Sequence, residues 1–384
     1  MAEVGKNSGG APKSTDTLEV AALKVLLEGD PWLKAEYGDL AASLWLEGAI
    51  REAYDEAGPL LAVPSRPARS DMVRLVAPRD MPKLGKAGSL QSRQALVHSL
   101  VHTESWAVDL SWDIIARFGK AEAMPRAFFD DFVRVAQDEG RHFLLLAARL
   151  KELNSRYGAL PAHDGLWDSA ETTAHDLKAR LAVEHCVHEA RGLDVLPTTI
   201  SRFRRGGDEE TAKLLETVIY PEEITHCAAG VKWFSFLCLR DSPEHLLTHP
   251  KENSQASRML VPKADIKAED DDDDKLLESK LVRLDLDGAG GGLSSADSST
   301  TNCQMQSGDG SSCRESLMNG EAGHQKVDSG VAMDGRQTPE SVVSAFHSLV
   351  RNHFRGPLKP PFNDAARAAA GFGPEWYLPL ATKV

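Results

Sequence analysis

Two Glu-x-x-His motifs stand out: Glu139 with His142, and Glu223 with His226. Residues three apart on a helix lie one turn on and on the same face, so each motif offers a carboxylate and an imidazole side by side. Two further glutamates, Glu104 and Glu189, interrupt otherwise apolar helical stripes without a following histidine. Carboxylates and neutral imidazoles are ligands for divalent metals, and carboxylate-rich, histidine-poor sets suit iron or manganese better than zinc or copper. Glu-x-x-His alone is a weak signal. A third instance, Glu321 with His324, falls in a low-complexity stretch.

The stripes give the motif its context. Segment A, about 90–118, reads Val97, Leu100, Val101, Glu104, Ala107, Val108, Ser111, Ile115 on one face. Segment B, about 125–157, reads Phe132, Val135, Glu139, His142, Phe143, Leu146, Leu150. Segment C, about 174–204, reads Ala182, Cys186, Glu189, Leu193, Leu196, and segment D, about 208–238, reads Leu215, Ile219, Glu223, His226, Gly230, Phe234, Leu237. Each is a stripe of the kind that faces a bundle core. Glu104 lies 14 residues before the end of A and Glu139 14 after the start of B; the offsets for Glu189 and Glu223 in C and D are both 15. Equal offsets in antiparallel hairpins place groups at one level, since each residue rises ~1.5 Å. The B–C connection, about 158–173, is long enough to return along a helix.

Four carboxylates and two imidazoles therefore converge on one depth of an apolar interior. Ionised carboxylates buried together without partners are costly and repel one another. No Lys or Arg lies on the inward stripes at this level, whereas two divalent cations would balance four carboxylates. Glu from two helices plus Glu-x-x-His from two others is the general pattern of dimetal carboxylate bundles. The expected ligands are Glu104, Glu139, His142, Glu189, Glu223 and His226, holding two iron ions, with manganese as the alternative. Glu139 and Glu223 either bridge or chelate. Asp138 and Glu222 directly precede the two motifs and Arg141 lies within the first; all three are expected to orient the ligands, against the plainer reading of surface ion pairs. Glu184 is a second candidate for the ligand from C. His98 and His102 lie off the Glu104 face and read as satisfied buried or interfacial histidines. Cys186 and Cys227 read as small core residues.

The strings HTESWAVDLSWD, DEGRHF, HEARGLD, EEITHCAAG and LKPPFNDAARAAAGF resemble the motifs of domain-of-unknown-function family 455, a ferritin-like group. The resemblance covers about 16–245 and 338–384 and implies a ferritin-like helical bundle. A more distant likeness is to a ferritin-like dimetal tRNA hydroxylase. It implies an oxidase or hydroxylase acting on a small-molecule or RNA substrate with an electron donor; iron handling without an organic substrate and a metal-free interaction bundle are the rivals.

The elements around the four segments follow from punctuation. Residues 1–14 are small and polar and are expected to be disordered. Thr15 or Asp16 would cap a first helix, LEVAALKVLL, and a second would span Pro31 to Ala57. From 58 to 88 five prolines predict an irregular wrap. Residues 246–337 form an acidic, Ser/Gly-rich insert expected to be disordered, followed by a helix from Thr338-Pro339-Glu340 and an aromatic tail. No alternating pattern long enough for a sheet occurs, so the class is all-α. Of the net charge of −13, residues 251–340 carry −8, from 10 basic and 18 acidic residues. Binding nucleic acid by bulk positive charge is disfavoured, though Arg202, Arg204 and Arg205 at the end of C, and Arg351, His353, Arg355 and Lys359, form local basic clusters. No run of 18 uncharged apolar residues predicts a membrane span. Five sparse cysteines and the absence of an apolar leader lead to the expectation of a reducing, cytoplasmic setting.

Overall fold

The computed structural model describes residues 10–240 and 339–382. The insert expected to be disordered over 246–337, the first nine residues and the Thr338 cap lie outside the described residues. Described residues 10–14 do not extend freely: Pro12 is buried and the Ala11 carbonyl accepts from Lys24 Nζ at 3.4 Å.

Four long helices carry the interior, as the stripes require. Segment A is α3, Leu90–Phe118, and segment B is α4, Arg126–Glu152. Ahead of them stand α1, Leu18–Leu27, and α2, Pro31–Leu46; α5, Gly165–Thr172, lies in the connection between B and C. Segment C is α6, residues 177–205, and segment D is α7, residues 209–239. The chain closes with α8 (Pro339–His353), α9 (Asp364–Ala369) and α10 (Pro374–Tyr377). No strand occurs among the described residues, so the molecule is an all-α bundle.

The differences from expectation have local causes. The first helix is capped by Thr17, whose hydroxyl accepts from Val20 N, while Asp16 binds Lys24 Nζ at 2.7 Å. α2 stops at Leu46, well before Ala57, because Gly48 takes φ +77° just past the end, the left-handed stop that glycine adopts freely. Pro125 caps α4 from outside its first turn, and Asn154 at φ +59° follows its end.

α6 and α7 are not uniform. α6 widens into a π-turn over Val183–His188, immediately before Glu189, and α7 does so over Leu215–Ile219, just before Glu223. Pro221 accounts for the second: it has no N–H to give the carbonyl one turn back, and a wider turn relieves its ring. In α6 the displaced His185 carbonyl packs on α7 at Gly230, where an added Cβ would stand 1.8 Å from that oxygen.

Buried ion pairs fix how the helices slide. Arg180 of α6 pairs with Asp113 of α3, both side chains inaccessible, and at the far end Arg202 Nη2 donates to Ser92 Oγ at 3.3 Å. The residue numbers 113 and 180, and 92 and 202, add to nearly the same value. α3 and α6 are therefore antiparallel, with Glu104 opposite Glu189. α1 packs on α3 and α2 on α4, tied by Lys34, whose Nζ lies 2.5 Å from Asp109 Oδ1. Burial brings the Lys34 ammonium down to about 8 despite Asp109. α8 packs on α6 and α7, and Arg367 grips Asp194 of α6 through two hydrogen bonds of 2.8 and 2.6 Å.

Removing one partner of a buried pair strands the other charge, at about 3–5 kcal/mol. Asp113→Ala, which leaves the inaccessible Arg180 without its carboxylate, is predicted to lower the unfolding free energy by about that amount in urea denaturation, and Arg180→Ala by less, because Asp113 keeps Arg117 at 2.6 Å. Gly230→Ala, which forces α7 off the His185 carbonyl, is predicted to destabilise as well, whereas Ala at the exposed Gly207 is predicted to act only through its positive φ and by less.

Candidate metal centre

The six expected ligands meet. Glu104 comes from α3, Glu139 and His142 from α4, Glu189 from α6, and Glu223 and His226 from α7. Their ligand atoms form two groups, each with all its atoms within 4.8 Å of one another: Glu104, Glu139, His142 and Glu223, and Glu139, Glu189, Glu223 and His226. Glu139 and Glu223 belong to both, as two carboxylates lying between two ions would. Glu184 joins neither group. All six side chains are buried except Glu189, which is half-buried.

Both imidazoles point the same way. His142 Nδ1 faces inward, 3.6 Å from Glu104 Oε2, Glu139 Oε2 and Glu223 Oε1 alike. His226 Nδ1 lies 3.0 Å from Glu139 Oε1 and 3.9 Å from Glu223 Oε2. Each Nε2 turns outward to a carboxylate on the other helix. His142 Nε2 donates to Glu222 Oε2 at 2.7 Å, and His226 Nε2 to Asp138 Oδ2 at 3.4 Å. That bond keeps a proton on Nε2 and makes Nδ1 the atom aimed into the cluster, where a metal ion would displace its proton. Arg141 Nη2 donates to both outer carboxylates, Asp138 at 2.6 Å and Glu222 at 2.8 Å, and so locks the two halves. The carboxylate beside each motif thus serves the histidine across the interface.

The donor set fits metal ions on a direct observation. Glu139 Oε2, His142 Nδ1 and His226 Nδ1 are buried and have no hydrogen-bond partner, a costly state for polar atoms that a bound cation would relieve. The titration behaviour points the same way. Burial, then repulsion from Glu139, lifts the Glu104 carboxyl to about 8, and the same causes lift Glu189 to about 7. Burial and the neighbouring carboxylates raise Glu223 well above the usual range. Burial works against charge on Glu139 too, but His226 and His142 outweigh it and hold that carboxyl well below its ordinary value. Both imidazoles hold protons more tightly than usual, because carboxylates outweigh their burial. Without metal, protons hold the cluster together.

The sequence placed His185 at the edge of the Glu189 stripe and gave no role to it or to several other groups around the centre. His185 is fully enclosed beside Phe132, its ring 5.0 Å away and its Nε2 without a partner; burial first, then Arg180, brings its pKa to about 3. Asp109, Asp113 and Asp194 are buried anchors for Lys34, Arg180 and Arg367. A carboxylate spaced one turn from its neighbour within an apolar helix was the available signal for Asp109 and Asp113. His98 and His102 are satisfied away from the cluster: His98 Nε2 accepts from Gly158 N at 3.0 Å, and His102 Nδ1 lies 2.8 Å from Tyr157 Oη. Cys186 and Cys227 are free and buried. Arg202 is buried, and Arg204 pairs with Glu209 and Glu216 at 3.0 and 2.9 Å.

Beside the cluster lies a cavity of about 150 Å³, walled by α3, α6, α7 and the start of α5, with Glu139 reaching it from α4. Glu104, Glu139, Glu189 and Glu223 form part of its wall, and Leu100, Leu110, Leu166, Leu196, Leu215 and Ile219 much of the rest.

Loss of an outer carboxylate frees its imidazole to turn or change tautomer. Glu222→Ala and Asp138→Ala are each predicted to weaken iron or manganese binding about 10- to 100-fold in calorimetry, with helix content unchanged.

Among the described residues, no helix is long and apolar enough to cross a membrane. No solved structure matches the chain. An uncharacterized protein of Haemophilus influenzae is 37% identical over 169 residues, which is 42% of this chain; the match spans 57% of that protein. The family described as "Protein of unknown function (DUF455)" matches residues 27–265, which hold the whole of the cluster, and the chain belongs to that family.

Proposed function

We propose that the chain is a non-haem dimetal carboxylate protein, with two iron ions as its cofactor and manganese as the alternative, acting as an O₂-dependent oxidase or hydroxylase. The observation that carries this reading is the pair of ligand groups sharing Glu139 and Glu223, each completed by an inward Nδ1 without a partner. The arrangement is the one general to ferritin-like dimetal bundles: a Glu from each of two helices and Glu-x-x-His from each of the other two. When bound, the metal pair supplies the redox chemistry by which O₂ is activated. Hydroxylating a C–H bond consumes O₂, two electrons and two protons and yields an alcohol and water, so an external reductant is a required partner.

The protein's own contribution is positional. Asp138 and Glu222 hold the two imidazoles in one tautomer, and Arg141 keeps both carboxylates ionised and in place. Five of the six side chains are buried by the surrounding helices, which strengthens electrostatic interactions at the cluster. The cavity brings apolar surface against the carboxylates, where an organic substrate would lie. That cavity favours an organic substrate over iron handling alone.

Metal ions compete with protons here, so their affinity depends on pH. Glu104 and Glu189 keep protons up to about 8 and about 7. Iron or manganese binding is therefore predicted to tighten from pH 6 to 8 and to release protons, read by calorimetry in buffers of different ionisation enthalpy. The stability of the metal-free chain follows the opposite course. Between the ordinary carboxylate value and the raised ones the folded state binds more protons than the unfolded, so stability falls as pH rises. The raised histidines add loss in the same direction above their ordinary value, while the depressed Glu139 acts only in acid. The depressed His185 and His98 act in the opposite sense below the ordinary histidine value, and the depressed Lys34 does so towards pH 8 and above. The melting temperature without metal is therefore predicted to fall between pH 6.5 and 7.5, where the raised groups dominate; a rise there would contradict the raised carboxyls.

Purified without oxygen, the chain is predicted to carry two metal ions, and Glu139→Ala to lose both. A full load on Glu139→Ala would overturn the ligand assignment. Oxygen uptake that depends on an organic substrate would separate hydroxylation from iron handling.

A further inference from the structure

Glu184 is buried next to the cavity and takes no part in either ligand group. In a regular helix it would point about 140° away from Glu189, five residues on. The π-turn over Val183–His188 changes that angle to roughly 50°, and Glu184 lines the same cavity as Glu189. Its Oε1 accepts from Ser169 Oγ of α5 at 2.8 Å, while its Oε2 has no hydrogen-bond partner and lies 3.8 Å from His188 Nε2. Burial raises its carboxyl, with His188 and Arg180 pulling the other way, so a neutral partner suits it better than a cation.

The antiparallel register of α3 and α6 orders the cavity along its length. Leu110, Glu184 and His188 stand at one end, the metal-binding carboxylates in the middle, and Leu100 and Leu196 at the other, over ~15 Å of helix. The volume is that of a space which holds a benzene-sized guest, roughly six to eight non-hydrogen atoms.

We propose that this cavity receives a compact substrate with an apolar body and one neutral hydrogen-bonding group, and that Glu184 is the positioning residue that takes that group and so turns the hydrocarbon toward the carboxylate cluster. The assignment of a substrate rests on the dimetal reading above; the cavity's selectivity does not, because it can be read without metal.

The experiment measures binding of cyclohexane, cyclohexanol and cyclohexylammonium to the full metal-free chain by calorimetry or ligand-observed NMR. Cyclohexanol is expected to bind at least tenfold more tightly than cyclohexane and than cyclohexylammonium. Glu184→Gln, which keeps hydrogen-bonding atoms in the same place, retains the preference for the alcohol. Glu184→Leu abolishes it and leaves cyclohexane binding in place. Ala107→Phe, which fills the cavity, removes binding of all three. Equal or tighter binding of cyclohexane to the wild type, preference for the ammonium ion, or an alcohol preference that survives Glu184→Leu would overturn the proposal. Should Glu184→Leu fail to fold, the wild-type ranking and the Ala107→Phe result decide it. Metal content of the same variants is measured alongside: probe binding with no metal uptake would sink the dimetal reading and leave the cavity assignment standing, and the converse result would do the opposite.

Discussion

Four carboxylates and two imidazoles occupy one level of an apolar helical interior, and holding them there constrains everything else in the molecule. Left alone, such a set is unfavourable through desolvation and mutual repulsion. The protein meets that cost with protons on Glu104, Glu189 and Glu223, and with charge on the two histidines. It does not place a lysine or arginine inside the cluster, which would compete with a metal cation. Arg141, the nearest cation to the outer carboxylates, stays on the outer side, bound to Asp138 and Glu222.

A site of this kind tolerates little sliding of one helix past another, since one residue of slip moves a ligand by ~1.5 Å. The buried pairs answer that requirement. Arg180 with Asp113 sets α6 against α3, and Arg149 with Asp208, 2.8 Å apart, sets α4 against the start of α7. The outer layers then hold these rods in place: Lys34 and Arg69 reach Asp109 from the N-terminal side, and Arg367 and Asn363 reach Asp194 from the C-terminal side. Asp109 and Asp194 each lie five residues beyond a cluster glutamate, so both outer layers grip helices near the level that must not move.

The four long helices were legible because their apolar period of 3.6 is strong, and the six converging side chains because each breaks that period at a matched height. Helix ends were less legible where one residue decides them, as Gly48 does for α2 and Asn154 for α4. The π-turns were not legible from periodicity at all. A stripe counted at a constant angle puts Glu184 on the wrong face, and only the wide turn brings it beside Glu189. Pro221 carried a signal for the turn in α7; no comparable residue marks the turn in α6, whose counterpart is Gly230 on the facing helix. The crossed pairing of Asp138 with His226 and Glu222 with His142 depends on two helices at once, which spacing along one helix does not reveal.

The central claim is that six side chains form a single two-ion site with Nδ1 ligation from both histidines. The most direct measurement is anomalous X-ray diffraction from crystals of the full chain loaded anaerobically with Fe(II). The account predicts two peaks ~3.5–4 Å apart, one next to His142 Nδ1 and the other next to His226 Nδ1, with Glu139 and Glu223 between them. A single peak, peaks outside the cluster, or no metal where these atoms converge would contradict it.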